Sequence, residues 1–311
     1  MSTLFQNLTD EQALSDARNA VTLFYDAPIL SADKHAIQVM FSITFIVRLE
    51  DGSNVIVQLR DNEIDLSKVA LARSMLGDVV PRMNAAPTEY ALFAYVADFL
   101  PGTMWIDLED DRELDVQIAH DSMIARQVAN LIVKCNLGIG SAGIVDTYII
   151  PRLAHILKKY NSLPPPLRTR IEGMLYNVDE LKKLPLALCH IDINKMNILV
   201  DPNSLRVTGL IDWEAAAILP LGMSAWCIRF LTVPIPRRQD KVLEKSWPVT
   251  QAFWQAFFAA LPPGLQSLKS TILLSTQVGF VLLSGIPEHI IQSEEELRKL
   301  EIRLAWLDRY E

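Results

Sequence analysis

The stretch His190-Ile191-Asp192-Ile193-Asn194-Lys195-Met196-Asn197-Ile198-Leu199-Val200 places an Asp two residues after a His and five before an Asn, then runs into an apolar strand. Upstream, Leu186-Ala187-Leu188-Cys189 is an apolar run leading into it. Downstream, Ile198-Leu199-Val200 and Val207-Thr208-Gly209-Leu210-Ile211 read as short buried strands. Asp201-Pro202-Asn203-Ser204 joins them as a turn with Pro at its second position. A second acidic site follows in Ile211-Asp212-Trp213-Glu214. The expected hairpin carries Asn197 at its entrance and Asp212 at its exit, ends that lie side by side when two strands pair antiparallel. Each part alone has an ordinary structural reading: an Asn before a strand as a turn residue, an Asp after one as a helix cap. The ordered combination is far rarer by accident than its parts.

Phosphoryl transfer from a nucleotide needs a group that orients the attacking hydroxyl and takes its proton, and groups that hold magnesium against the phosphates. Asp192 has the position of the base in that plan, and Asn197 and Asp212 those of the metal ligands. Magnesium prefers oxygen donors, which a carboxylate and an amide carbonyl provide.

At these residues the chain resembles the aminoglycoside phosphotransferase family, a branch of the protein-kinase-like superfamily that includes choline kinases. The family loop reads H-G-D-x-x-x-x-N, followed by a hydrophobic strand and I-D-W-E or I-D-x-x. Here the matching residues are His190-Ile191-Asp192, Asn197 and Ile211-Asp212-Trp213-Glu214. The strong match covers Leu186 to Met223, and the texture of Asn197 through Glu214, with Leu219 to Met223 after it, is similar to fungal members, many of which are uncharacterised or sit in secondary-metabolite pathways. A weaker match reaches back through Pro101-Gly102 to the Val55–Arg60 strand. The resemblance implies an α+β, bilobal protein-kinase-like fold. Residues 1–97 would form a small β-rich nucleotide-covering lobe. Residues 98–311 would form a larger, mainly helical lobe with the catalytic loop and substrate site. It also implies an ATP- and Mg2+-dependent transfer of the γ-phosphoryl group to a hydroxyl of a small molecule. Asp192 would then be the base, Asn197 and Asp212 the magnesium ligands, and His190 a loop-positioning residue. Glu214 sits near the metal position in sequence and its role is open, with a solvated or capping carboxylate favoured over a ligand.

The chain departs from the family in three places. Ile191 replaces the usual Gly, and a branched side chain cannot follow Gly into left-handed backbone. The position of the phosphate-pairing Lys or Arg aligns with Gln58 in Val55-Ile56-Val57-Gln58-Leu59-Arg60. Arg60 shares a face with Gln58 and is the candidate substitute. Its other reading is an edge residue pairing with Glu63 or Asp65. The helix expected at Leu66–Leu76, capped by Asp65 and stopped by Gly77, has no interior carboxylate to complete the usual ion pair. No G-x-G-x-x-G occurs, and Asp33 to Gln38 lies where the nucleotide-covering loop falls. These departures keep open an alternative: a kinase-like fold without phosphotransfer, serving as a pseudokinase, a repurposed biosynthetic enzyme or a binding protein.

Composition agrees with a globular chain. Of 311 residues 50% are hydrophobic and 21% charged, which argues against disorder. The net charge of -8 disfavours nucleic acid as a partner and leaves a small-molecule substrate. Cys135, Cys189 and Cys227 show neither metal nor disulfide spacing. With no evident signal peptide and no apolar stretch long enough to span a bilayer, the expectation is a cytoplasmic protein that does not enter membranes. Further helices are expected at 115–135, 151–160, 168–181, 250–261, 266–283 and 294–310. Trp213, Trp226, Trp247, Trp254 and Phe257 are either core or lining of an acceptor pocket, with core the commoner case.

Overall fold

A computed structural model describes residues 8–35, 42–108, 113–159, 163–232 and 246–285. The chain divides into two compact units. The first comprises Met1–Pro101 together with Gly209–Glu214, and the second Gly102–Thr208 with Ala215–Glu311. The 294–310 helix and part of the 33–38 loop lie outside the described residues.

The first unit opens with helix α1, Asp10–Thr22. The Thr9 hydroxyl accepts from the Gln12 amide, and the Gln12 side chain accepts from the Thr9 amide, a reciprocal cap that fixes the start. Ala13, Ala17, Ala20 and Val21 recur at helical spacing and bury one stripe. That stripe packs on a five-stranded antiparallel sheet built from β1 (Ile29–Lys34), β2 (Ser42–Leu49), β3 (Asn54–Arg60), β4 (Met83–Ala86) and β5 (Phe93–Asp98), in the order β1-β2-β3-β5-β4. Asp33 and Lys34, expected in the nucleotide-covering loop, are the last residues of β1. Their backbone is spoken for by pairing with Ile46 and Phe45.

Strand alternation sorts the residues of this sheet into two faces. Phe45, Val47 and Leu49 of β2, Val55, Val57 and Leu59 of β3, and Ala94 and Val96 of β5 form the core against α1. The register pairs Ser42 with Arg60 and Thr44 with Gln58, so these four side chains belong to the opposite face. The β2–β3 turn uses Gly52 at φ 84°, and the Asp51 carboxylate accepts from the Ser53 amide at 2.8 Å. Helix α2, Leu66–Leu76, has Asp65 as its cap and ends at Gly77, whose φ of 72° suits glycine. Buried Asp16 accepts from the amides of Glu89, Tyr90 and Ala91, tying α1 to the approach to β5.

The second unit is mainly helical. Helix α3, Leu114–Lys134, buries Ile124, Ala125, Val128 and Ile132 and packs along the helix Ser246–Ala260, which buries Phe253 and Phe257. Strands β6 (Thr103–Met104), β7 (Asn136–Gly140), β8 (Pro185–Cys189), β9 (Ile198–Val200), β10 (Val207–Leu210) and β11 (Ala217–Pro220) make two small sheets, ordered β10-β9-β6 and β11-β8-β7. Pro165 and Pro166 open the helix Pro165–Asn177, because Pro is preorganised for the first turn. Among the described residues no helix is long and apolar enough to cross a membrane.

Candidate active site

The loop after β8 is organised by its own side chains. His190 is buried, and its Nδ1 accepts the Asp192 amide at 3.3 Å. Asn194 Nδ2 donates to Asp192 Oδ1 at 3.2 Å, and Asn197 Nδ2 donates to Asp192 Oδ2 at 3.1 Å. The same two amides also reach the Asp192 carbonyl, at 3.2 and 2.8 Å. Asn194 Oδ1 takes the Met196 amide at 2.8 Å. The exposed Asp192 carboxylate therefore has a fixed direction, with one amide donor on each oxygen. With Asn197 Nδ2 committed to Asp192, Oδ1 is the side-chain atom that could hold a cation. Ile191 in the place of Gly causes no strain, since among the described residues only Leu205 and Asp212 are left-handed without being glycine.

A feature that the sequence reading missed lies within this loop. Lys195 is 4% exposed, and its ammonium lies 3.4 Å from Asp121 Oδ2 on α3. Trp105 Nε1 donates to Asp121 Oδ1 at 2.9 Å, and the Lys195 ammonium sits 4.9 Å from the centroid of the Trp105 ring. The Lys195 carbonyl accepts the Ile106 amide at 3.2 Å. A Lys inside a motif that also carries an Asp and two Asn reads as solvated, and nothing local marks Asp121 as its partner.

The first unit holds the other candidates. Arg60 is 2% exposed at the end of β3 and pairs with Glu214. Its second contact is Asn62 Oδ1 at 3.5 Å. This overturns the edge-residue reading with Glu63 or Asp65 as partner. It also corrects the solvated reading of Glu214, because a buried guanidinium needs a counter-charge and Glu214 supplies it. Gln58 stands on the same sheet face, partly buried. Asp212 has φ 67°, a conformation that Asp tolerates better than most residues and that clusters at functional positions. The turn that follows it is held by Trp213 Nε1 donating to the Leu210 carbonyl at 2.8 Å.

Asp192, His190 and Asn197 thus gather in the second unit, and Gln58, Arg60 and Asp212 in the first. An amide oxygen and a carboxylate are hard donors of the kind magnesium takes. Among the described residues no three His, Cys, Asp or Glu side chains gather as a metal site. Trp213, Trp226, Trp254 and Phe257 are buried, whereas Trp247 is exposed. Trp226 stacks edge-on with Phe230 and Phe280, and Trp254 packs against Phe253, Phe257 and Phe258, which makes these rings core.

Residues 150–252 match the model of the phosphotransferase enzyme family. No curated protein matches the chain. Solved structures match it over nearly the full length. The amicoumacin kinase hAmiN in complex with AMP-PNP, Ca2+ and Ami is 14% identical, with 100% of this chain and 97% of that one covered at a TM-score of 0.60. The choline kinase from Cryptosporidium parvum Iowa II is 12% identical, covering 97% and 95% at a TM-score of 0.56. The macrolide 2'-phosphotransferase MphH from Brachybacterium faecium is 18% identical, covering 93% and 97% at a TM-score of 0.53. The fold is an α+β fold shared with these solved kinase structures, with a β-rich first unit and a mainly helical second one.

Proposed function

We propose that this protein is an ATP- and Mg2+-dependent phosphotransferase that moves the γ-phosphoryl group to a hydroxyl of a small molecule. The coarser statement, a small-molecule phosphotransferase, is supported by the family match and by the kinases that share the fold. The observation that carries the finer reading is the Asp192 carboxylate, exposed and oriented through both oxygens by Asn194 and Asn197. In this reading Asp192 accepts the proton of the acceptor hydroxyl as its oxygen attacks the γ-phosphorus and the bond to the bridging oxygen of ADP breaks. His190 and Asn194 hold Asp192 in position. Asn197 Oδ1 and the Asp212 carboxylate are the oxygen donors that would hold the metal, which would neutralise charge on the phosphate oxygens. Arg60 steadies the phosphates, with Gln58 beside it. A cytoplasmic setting belongs to the same proposal, as does the fungal secondary-metabolite context suggested by the texture of Asn197–Glu214 and Leu219–Met223. So does a small-molecule acceptor, with no nucleic acid or membrane as partner; the net charge of -8 supports the first exclusion.

Thermal melting with and without Mg·ATP tests the reading, because a ligand that binds only the folded state raises the melting temperature by mass action. A rise that needs both metal and nucleotide, followed by ADP release in the presence of hydroxylated acceptors, is expected. A melting temperature unmoved by millimolar Mg·ATP would sink the proposal in favour of the pseudokinase alternative.

A further inference from the structure

The polar face of the sheet holds more than one residue. Arg60 and Ser42 are direct cross-strand partners, so their side chains share a face, and both are 2% exposed. Arg60 Nε and Ser42 Oγ are buried and find no hydrogen-bond partner, although the Arg60 guanidinium itself is held by Glu214. Buried polar atoms are nearly always satisfied, and an orphan in a native structure calls for an explanation such as a ligand. A guanidinium and a hydroxyl both donate hydrogen bonds, so together they suit an anionic oxygen. Glu214 lies two residues beyond Asp212 in the short turn Trp213–Ala215.

We infer that Arg60, Ser42 and Glu214 form a phosphate grip that replaces the ion pair absent from α2. Arg60 and Ser42 donate to phosphate oxygens of the nucleotide. Glu214 is a positioning residue that orients the guanidinium, the task an acidic residue on α2 would otherwise perform. Because Glu214 follows Asp212 so closely, the grip and the metal carboxylate sit on one short segment. Phosphate and metal binding are therefore coupled through it. This inference rests on the phosphotransferase reading.

Calorimetry of the protein with Mg·ATP and with adenosine, alongside thermal melting, tests it. Ser42→Ala leaves the melting temperature of the free protein unchanged or higher, since it removes an unpaired buried hydroxyl, yet weakens Mg·ATP and spares adenosine. Glu214→Gln weakens Mg·ATP about tenfold to a hundredfold, the worth of a charged hydrogen bond, and also spares adenosine. A purely structural role predicts the reverse for Ser42→Ala: lower stability with unchanged nucleotide affinity. If the unaltered protein binds Mg·ATP and both variants bind it equally well, the grip is wrong while the phosphotransferase reading stands. If the unaltered protein binds no nucleotide, both fall.

Discussion

The ammonium of Lys195, inside the loop that carries Asp192 and Asn197, is held 3.4 Å from the carboxylate of Asp121 on α3, with both side chains buried. Taking two charges out of water is costly, and removing only one partner leaves the other uncompensated. Lys195→Met or Asp121→Asn should each cost about 3–5 kcal/mol, while the joint replacement Lys195→Met with Asp121→Leu recovers much of that loss. Unfolding of the four proteins in denaturant measures the coupling. Simple additivity of the single losses would mean that the two charges do not support each other.

Asp192 is exposed and its donors are neighbouring amides, so its removal should touch chemistry and spare the fold. Asp192→Asn is expected to lower kcat by about 10²–10⁴-fold with the melting temperature nearly unchanged. Steady-state turnover of ATP with an acceptor, compared with the melting curve, decides this. Full turnover in the variant would remove Asp192 from the role of base.

At Asp212 backbone and side chain can be separated. With φ at 67°, alanine is strained there and glycine is not. Both Asp212→Ala and Asp212→Gly should lose Mn2+ binding, seen by electron paramagnetic resonance. The alanine variant should be the less stable by about 1 kcal/mol. Equal stabilities would show that the turn relaxes out of the left-handed region, and retained Mn2+ affinity would dismiss Asp212 as a metal ligand.

The three cysteines give a pH prediction. Burial pushes the Cys189 thiol up to about 11 and the Cys135 thiol up to about 12, from an ordinary value of 9.0, and raises Cys227 as well. The folded protein keeps protons that the unfolded chain releases near pH 9. Their contribution to stability is therefore whole below that pH and is lost as the pH climbs toward 11. Denaturation midpoints between pH 8 and 11 should fall accordingly. The native thiols should resist a thiol reagent at neutral pH and react once denaturant is added. Fast native labelling would contradict their burial.

Much of the arrangement was legible in the chain itself. Alternation along Val55–Arg60 already placed Gln58 and Arg60 on one face, because side-chain direction in a strand has a period of two. Asp65 and Gly77 bracketed α2, and the Asp51-Gly52 turn marked the β2–β3 hairpin, because caps and turns act over a few neighbouring residues. Local steric and hydrogen-bonding rules determined these features before any folding. The order His190, Asp192, Asn197 marked one loop of candidate site residues, while the bonds among their side chains came from the structure. The partners of Arg60 and Lys195 were a different matter. Glu214 and Asp121 lie far away along the chain, and no periodicity links a cation to a carboxylate brought near only by packing. Which charges are buried, and which buried atoms remain without a donor or acceptor, was decided by tertiary structure alone, because desolvation depends on everything that packs around a group.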